Sequence, residues 1–450
     1  MNPQARDTNK FSGGDAKEKK YRIAIIGSGP IGKLLACTAD LQSHPRLELV
    51  QYEAETPPFR PGFGYGLGPQ ALCAMRAADA VLAEKLEKAC LLGPSWMTWW
   101  HSGAAEDRLL ADVHMPDDMF TQVHGWIGRE ALLDLLGENM PANIGPVQYG
   151  KQLLEIQEVE TGGDEETENC GSRLELRFTD GTSDSVDAVF GCEGIHSVCR
   201  RMLQGPSYQP PEYSGGLSFR GKAPAGLVAQ GVGDEFVRGQ YMFIGTKGWH
   251  ILTFPIEQGR SVNIASFCFE PEPKKKTFGR DQKPTREEVL AYFPGRSERV
   301  DKLLNLLIDH TCQRLELSHL GELGAFTNGS ITTFGDAANA MTPHMAGSMS
   351  TGIIGVAKFV TEWNSRIQGL AADASDADIT RVFRAASKAY EAAHLPLAQK
   401  TVKFSQEQQL RWGGGITDHD VLIERFHFLW HCADDMAAAP RGVSDGKQQD

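Results

Sequence analysis

Residues 21–38, YRIAIIGSGPIGKLLACT, pass from one hydrophobic register to another. The continuous apolar run around Ile23 and Ile25 predicts a buried parallel strand. After a Gly-rich turn, Ile31, Leu34, Leu35 and Thr38 recur at helical spacing. LELVQYEAE then predicts a second strand that ends in acid, completing a right-handed βαβ unit.

Further along, FRPGFGYGLGPQAL (59–72) is a glycine-dense crossing, followed by helical patterns to about residue 92. MTWWHSGAAEDRLLADVHM predicts strands, and GWIGREALLDLLGENM a helix with an apolar stripe through Leu132, Leu133 and Leu136. Between 150 and 192, KQLLEIQEVE, SRLELRFTD and SVDAVFGCEG alternate around the tip GGDEETENCG and the turn Asp180-Gly181, predicting an antiparallel meander. From about 212 to 270 four more alternating segments, GGLSFRG, GQYMFIG, WHILTFPI and RSVNIASFCFE, predict a separate sheet. PEPKKKTFGRDQKPT is a solvated loop. Helices follow over 285–310, GSITTF (329–334) is a short strand, and the remainder is helical with GLAADASDAD as a break. Residues 1–20 are expected to form a mobile tail and 436–450 a frayed one. The mixture predicts an α/β fold with antiparallel insertions. One discontinuous unit spans 21–96, 125–205 and 325–370, a sheet unit 97–124 and 206–324, and a helical region 371–435.

Charge narrows the function classes. Lys+Arg is 45 and Asp+Glu is 58, a formal balance of −13 over 450 residues. That argues against a protein tracking nucleic-acid phosphates and against a basic face drawn to membranes. Nine cysteines are scattered without a C-x-x-C pair, which reads as reduced thiols in a cytoplasmic protein, and no metal-ligand set is assigned. The first twenty residues lack the apolar core of a signal peptide, and no run reaches the roughly 18 apolar residues of a membrane span.

Three segments carry chemistry. Gly27-Ser28-Gly29-Pro30-Ile31-Gly32 is G-x-G-x-x-G between strand and helix. Gly27 permits the tight turn, Gly29 lets backbone approach a pyrophosphate, and Gly32 lets helix pack on strand. Pro30 suits the first helical turn, and Glu53, about 20 residues on, is placed to take a ribose hydroxyl. AVFGCEGIHSVCRRML (188–203) is again strand, turn and helix start. GSITTFGDAANAMTPH delivers Asp336 at the end of a third strand. A large bound flavin dinucleotide uses all three.

With these motifs the chain resembles the FAD-dependent aromatic hydroxylases of the salicylate and para-hydroxybenzoate hydroxylase type, fungal salicylate-hydroxylase-like monooxygenases above all, over residues 21–410. GCEGIHSVCRR is similar to the family's G-A-D-G-x-x-S-x-V-R, GDAANAMTP to its G-D-A-A-H-x-x-x-P, and GREALLDLL to its H-R-x-x-L. The resemblance implies a Rossmann-like FAD-binding unit, a smaller antiparallel substrate unit and C-terminal helices. It also implies NAD(P)H as a transient reductant without its own nucleotide domain, and a small aromatic substrate oxygenated by a flavin C4a-hydroperoxide. By motif matching, Gly27, Gly29, Gly32, Glu53, Arg129, Glu193, Asp336, Pro343, Ala346, Gly347 and Ser348 would contact FAD. Arg220, in a segment similar to the recurrent Y-R-G element, is a candidate anchor for a phenolate, with Tyr241, His250 and His344 as further substrate contacts. Trp96, Trp99 and Trp100 form a local aromatic cluster.

The departures from the family pattern gather near the reacting ring. Glu193 and Asn339 stand where Asp and His are usual, and Met345-Ala346-Gly347-Ser348 keeps one glycine of the usual pair, shifted by one. GIIGVAKF lacks the acid of A-I-E-D-A, and His394 and Leu397 occupy two positions usually held by Arg. This pattern leaves an alternative open, a non-redox cyclisation or isomerisation on the same fold.

Overall fold

The computed structural model describes residues 20–39, 44–57, 63–92, 97–103, 107–113, 125–142, 144–160, 172–245, 248–270 and 283–413. The two expected tails, the acidic tip 161–171, Trp96 and most of the lysine-bearing loop lie outside these residues.

The first sheet has six strands. In spatial order they are Thr327–Asn328, Ile331–Thr333, Ala188–Gly191, Tyr21–Ile26, Leu47–Glu53 and Gln148–Tyr149. All neighbours pair parallel except the outermost two-residue bridge at Thr327–Asn328. Both faces of the central strands are covered, which is why Tyr21–Ile26 and Ala188–Gly191 read as unbroken apolar runs. One face packs helices Pro30–Thr38 and Ser348–Ile367 through Ile23, Ile25, Leu35, Phe190, Val356 and Phe359. The other packs the meander Leu153–Glu160, Ser172–Phe178 and Ser183–Val186 through Ala24, Ile26, Val189, Ile156, Leu176 and Val186.

The meander differs from expectation at its end. SVDAVFG is two strands, because the antiparallel ladder stops at Val186 while Ala188–Gly191 joins the parallel sheet. Asp187 marks the change: its carboxylate accepts the backbone N–H of Arg22 at 2.7 Å, so the chain turns from one sheet into the other.

The second sheet has seven strands, ordered Gln313–His319, Glu212–Pro224, Ser261–Phe269, His250–Ile256, Tyr241–Ile244, Met97–Ser102 and Asp107–Val113. Period-2 alternation gives it two apolar faces. Leu217, Phe219, Phe243, Ile251, Val262 and Ile264 face helices such as Glu298–His310, whose Val300, Leu303, Leu304 and Leu307 form a buried i, i+3, i+4, i+7 stripe. Each such side chain removed from water contributes about 1.5–3 kcal/mol. The opposite face carries His250, Leu252, Ala265 and Phe267 toward the cofactor-sheet half of the molecule. The same alternation separates the tryptophans: Trp99 packs with Met242 and Met345, whereas Trp100 packs among the helix-facing residues.

Candidate functional site

Parallel pairing aligns the ends of the central strands. Ile26 lies opposite Tyr52 and Gly191, and Gly191 opposite Thr333. The three motif turns therefore emerge side by side at the carboxyl edge of one sheet, where open α/β sheets bind ligands.

The glycines of the first turn have distinct tasks. Gly27 has φ +94°, and a Cβ there would lie 2.5 Å from the Cys192 carbonyl oxygen. A Cβ on Gly32 would lie 2.0 Å from the Gly27 carbonyl oxygen, so this glycine lets helix meet turn. A Cβ on Gly29 would meet nothing within 4 Å. The middle glycine thus guards open space at the start of helix Pro30–Thr38, as a pyrophosphate cradle requires. Glu53 sits beside it: one carboxylate oxygen accepts the N–H of Ser28 at 2.8 Å and the other that of Glu55 at 3.0 Å.

The second turn places Glu193 differently from a free cofactor ligand. Its Oε1 accepts the N–H of Cys199 at 2.8 Å, folding the carboxylate back onto the start of helix Val198–Gln204. The neighbouring Arg200 is fully buried and donates to the carbonyls of Ala337 at 2.9 Å and Ile195 at 2.6 Å, tying the second turn to the third.

On the third turn Asp336 is exposed to the cleft although protein surrounds it, and that crowding raises its carboxyl pKa. Ser348 opposes the shift by donating its hydroxyl to Asp336 Oδ1 at 2.6 Å. Pro343 opens a 3-10 turn that ends at Ala346, which is exposed and left-handed at φ 50°, a conformation costing an alanine roughly 1–2 kcal/mol. Gly347 packs instead against the C-terminal helix, since a Cβ there would lie 2.9 Å from Thr401 Cγ2. Asn339 is buried behind the cleft, its N–H bonded to the Gly335 carbonyl at 2.8 Å.

The backbone N–H of Arg129, at the start of helix Arg129–Glu138, donates to the Phe63 carbonyl at 2.9 Å, close to Tyr65 of the glycine-dense crossing. Burial raises the Tyr65 pKa, and the phenol feels Arg129, Asp336 and Arg220 together. Tyr65 carries no motif signal of its own.

Beyond these turns lies a buried aromatic cluster. The Arg220 Nε–H donates to Ser218 Oγ at 3.0 Å, and its guanidinium lies over Phe63 at 5.6 Å and Phe267 at 5.2 Å. Burial lowers its pKa to about 10, leaving a cation at neutral pH. His250 stacks on Phe267 at 4.7 Å and meets His344 at 5.3 Å. Both histidines are 3% exposed. Neither ring nitrogen of His250 has a hydrogen-bond partner, nor has Nδ1 of His344. Burial pushes the His250 pKa down to about 3, and burial, then His250 and Arg220, hold His344 well below its ordinary value. Two neutral imidazoles and a guanidinium thus surround a stacking surface. Tyr241 stays outside: its hydroxyl donates to the Glu235 carbonyl at 2.7 Å and its ring packs on Phe236, on the helix-facing side of the sheet. Phe267 and Trp412, neither flagged by a motif, complete the cluster.

These features fit a flavin dinucleotide: an open cradle at Gly29, an acid at the ribose position, and a second acid on the exposed floor of the cleft. No protein-family model matches the chain. The chain is 30% identical to the 6-methylsalicylate 1-monooxygenase of Aspergillus terreus over 336 residues, covering 72% of this chain and 70% of that protein. It is 29% identical to a salicylate hydroxylase of Pseudomonas putida over 347 residues, 74% of each. Among solved structures, a salicylate hydroxylase substrate complex aligns with a TM-score of 0.69 at 22% identity, covering 94% of this chain and all of that one. Klebsiella pneumoniae HpxO complexed with FAD and uric acid aligns with a TM-score of 0.66 at 19% identity, over 92% and 95%.

Proposed function

Because the chain belongs to the salicylate hydroxylase-like FAD-dependent monooxygenases, we propose that it hydroxylates or dearomatises a small aromatic acid or phenol in the Arg220–His250–His344 chamber, with NAD(P)H as transient reductant. The contact between His344 and His250 carries this reading. His344 directly follows Pro343 on the cofactor loop, and His250 comes from the second sheet, so the two halves meet at one polar point inside an aromatic wall.

Gly29, Glu53, Arg129 and Asp336 would hold FAD, with Pro343 and Ala346 beside its ring. When bound, FAD supplies electron transfer and oxygen activation. The protein's own residues bind, orient and exclude water. Arg220 attracts a carboxylate or phenolate and lowers the pKa of a phenol, favouring the electron-rich anion. His250 and His344, neutral at working pH, each offer one donor and one acceptor to the substrate's oxygens and fix the ring. Phe267 supplies the stacking face. Tyr65 and Arg129 connect the two compartments electrostatically. Glu193 acts through the second turn by capping its helix, and Tyr241 supports the sheet. We assign the protein to the cytoplasm, in keeping with nine cysteines scattered without a C-x-x-C pair. No helix among those residues is long and apolar enough to cross a membrane.

The non-redox alternative is not favoured, since the relatives are a hydroxylase and a monooxygenase by name. The test is anaerobic. The FAD-loaded protein should bleach on NAD(P)H addition, faster with hydroxybenzoates present, and consume O2 on aeration. A yellow protein that NAD(P)H never reduces would overturn the proposal.

A further inference from the structure

The helix Asp376–Gly413 spans 38 residues and joins two apolar cores. Phe383, Tyr390, Ala398 and Val402 belong to the core beneath the six-stranded sheet. Phe404 and Trp412 pack instead with Met97, Trp99, Met242 and Met345 on the chamber side of the second sheet. Side-chain bonds pin the last turns. Ser405 and Thr342 pair at 2.9 Å, Gln406 Nε2 meets His319 Nδ1 at 2.7 Å, and Gln409 Nε2 donates to the Ser214 carbonyl at 2.8 Å. Trp412 is thereby carried to the junction of sheet and cofactor loop. It is 2% exposed, with its ring edge-on to His250 at 4.6 Å and to His344 at 5.8 Å.

We propose that Trp412 is the specificity-determining wall of the chamber, setting how large an aromatic ring system can lie against His250, His344 and Phe267. The inference rests on the chamber being the substrate site. A wall held by one helix fastened to both cores selects by exclusion, because a close-packed side chain with no room to move rejects a larger ring. Trp412 contributes size selection and no proton chemistry, in contrast to the two imidazoles it touches.

The experiment compares kcat/KM for 2-hydroxybenzoate and for its bicyclic homologue 1-hydroxy-2-naphthoate, in the FAD-loaded wild type, Trp412→Phe and Trp412→Ala. FAD affinity is read separately by flavin fluorescence. The bicyclic-to-monocyclic ratio should rise about tenfold or more in Trp412→Ala and partway in Trp412→Phe, with FAD affinity unchanged. Trp412→Phe carries the test if the alanine variant fails to fold. A ratio within twofold of wild type in a variant that binds FAD normally overturns the inference. A wild type whose FAD is never reduced by NAD(P)H overturns the functional reading itself, and the inference falls with it.

Discussion

Three glycines in one turn look alike in sequence and differ in their neighbours. Gly32→Ala drives a Cβ into the Gly27 carbonyl and should cost about 3 kcal/mol or more in urea denaturation, because backbone must move. Gly29→Ala meets open space at an ordinary φ of −70° and should cost no more than about 1 kcal/mol, yet weaken FAD binding about tenfold or more by filling the cradle. Equal losses of stability in both variants would remove the distinction. Asp336 makes the same point with charge. Its pKa is raised in the folded chain, so the folded state holds the proton more tightly than the unfolded state does. The stability it contributes is complete below the ordinary carboxyl pKa and is lost as pH rises through the raised value. Asp336→Asn should therefore raise the Tm of the FAD-free protein at pH 7, an advantage that disappears below about pH 4, and should weaken FAD binding. A lower Tm at pH 7 would contradict the assignment.

At the scale of elements, helix Ser348–Ile367 and the C-terminal helix meet closely at Gly355 and His394. A Cβ on Gly355 would lie 2.9 Å from His394 Nε2, and the imidazole is buried, stacked on Tyr390 at 5.5 Å. Gly355→Ala should destabilise by about 1–3 kcal/mol through overpacking, and most of that cost should vanish in a His394→Ala background. Additive effects of the two substitutions would show that the residues do not touch. Helices over 285–310 were expected, and the structure shows the local signals that start them. Ser297 heads a helix whose apolar stripe is plain in ERVDKLLNLLID, and Thr285 with Glu288 forms a capping box. What periodicity missed was partnership: SVDAVFG reads as one strand, and only the competing sheets divide it at Asp187.

At the scale of the molecule, three histidines are stored neutral. His250 and His394 have pKa values lowered to about 3 by burial, and His344 lies well below its ordinary value for the same first reason. Each takes up a proton in the unfolded chain below pH 6.5 but not in the folded one. Stability is thus complete above that value and lost as pH falls toward the folded values. Near pH 5, His250 and His394 together should contribute a slope of about 3 kcal/mol per pH unit, and His344 adds in the same direction. Urea denaturation at pH 5.5 and pH 4.5 measures it, and His394→Phe should reduce the slope by about 1.4 kcal/mol per pH unit. A slope unchanged by that substitution would mean that His394 is protonated when folded.

The βαβ unit, the G-x-G-x-x-G cradle, Glu53 and Asp336 were legible because their physics is local. A tight turn, a helix N-terminus and a strand end are written in consecutive residues. The chamber was legible only as separate candidates. Arg220, His250 and His344 are up to 124 residues apart in the chain, and nothing in their neighbours says which face of a sheet they share. Sheet register decided it, setting His250 against His344 and turning Tyr241 to the other side. Trp412 and Tyr65 had no motif at all, because a helix of ordinary composition and a glycine-rich crossing acquire chemistry only from what they are packed against. The sequence by itself determined the kind of cofactor. Tertiary structure alone decided which candidate side chains come together on one face, since that depends on long-range packing that no local pattern encodes.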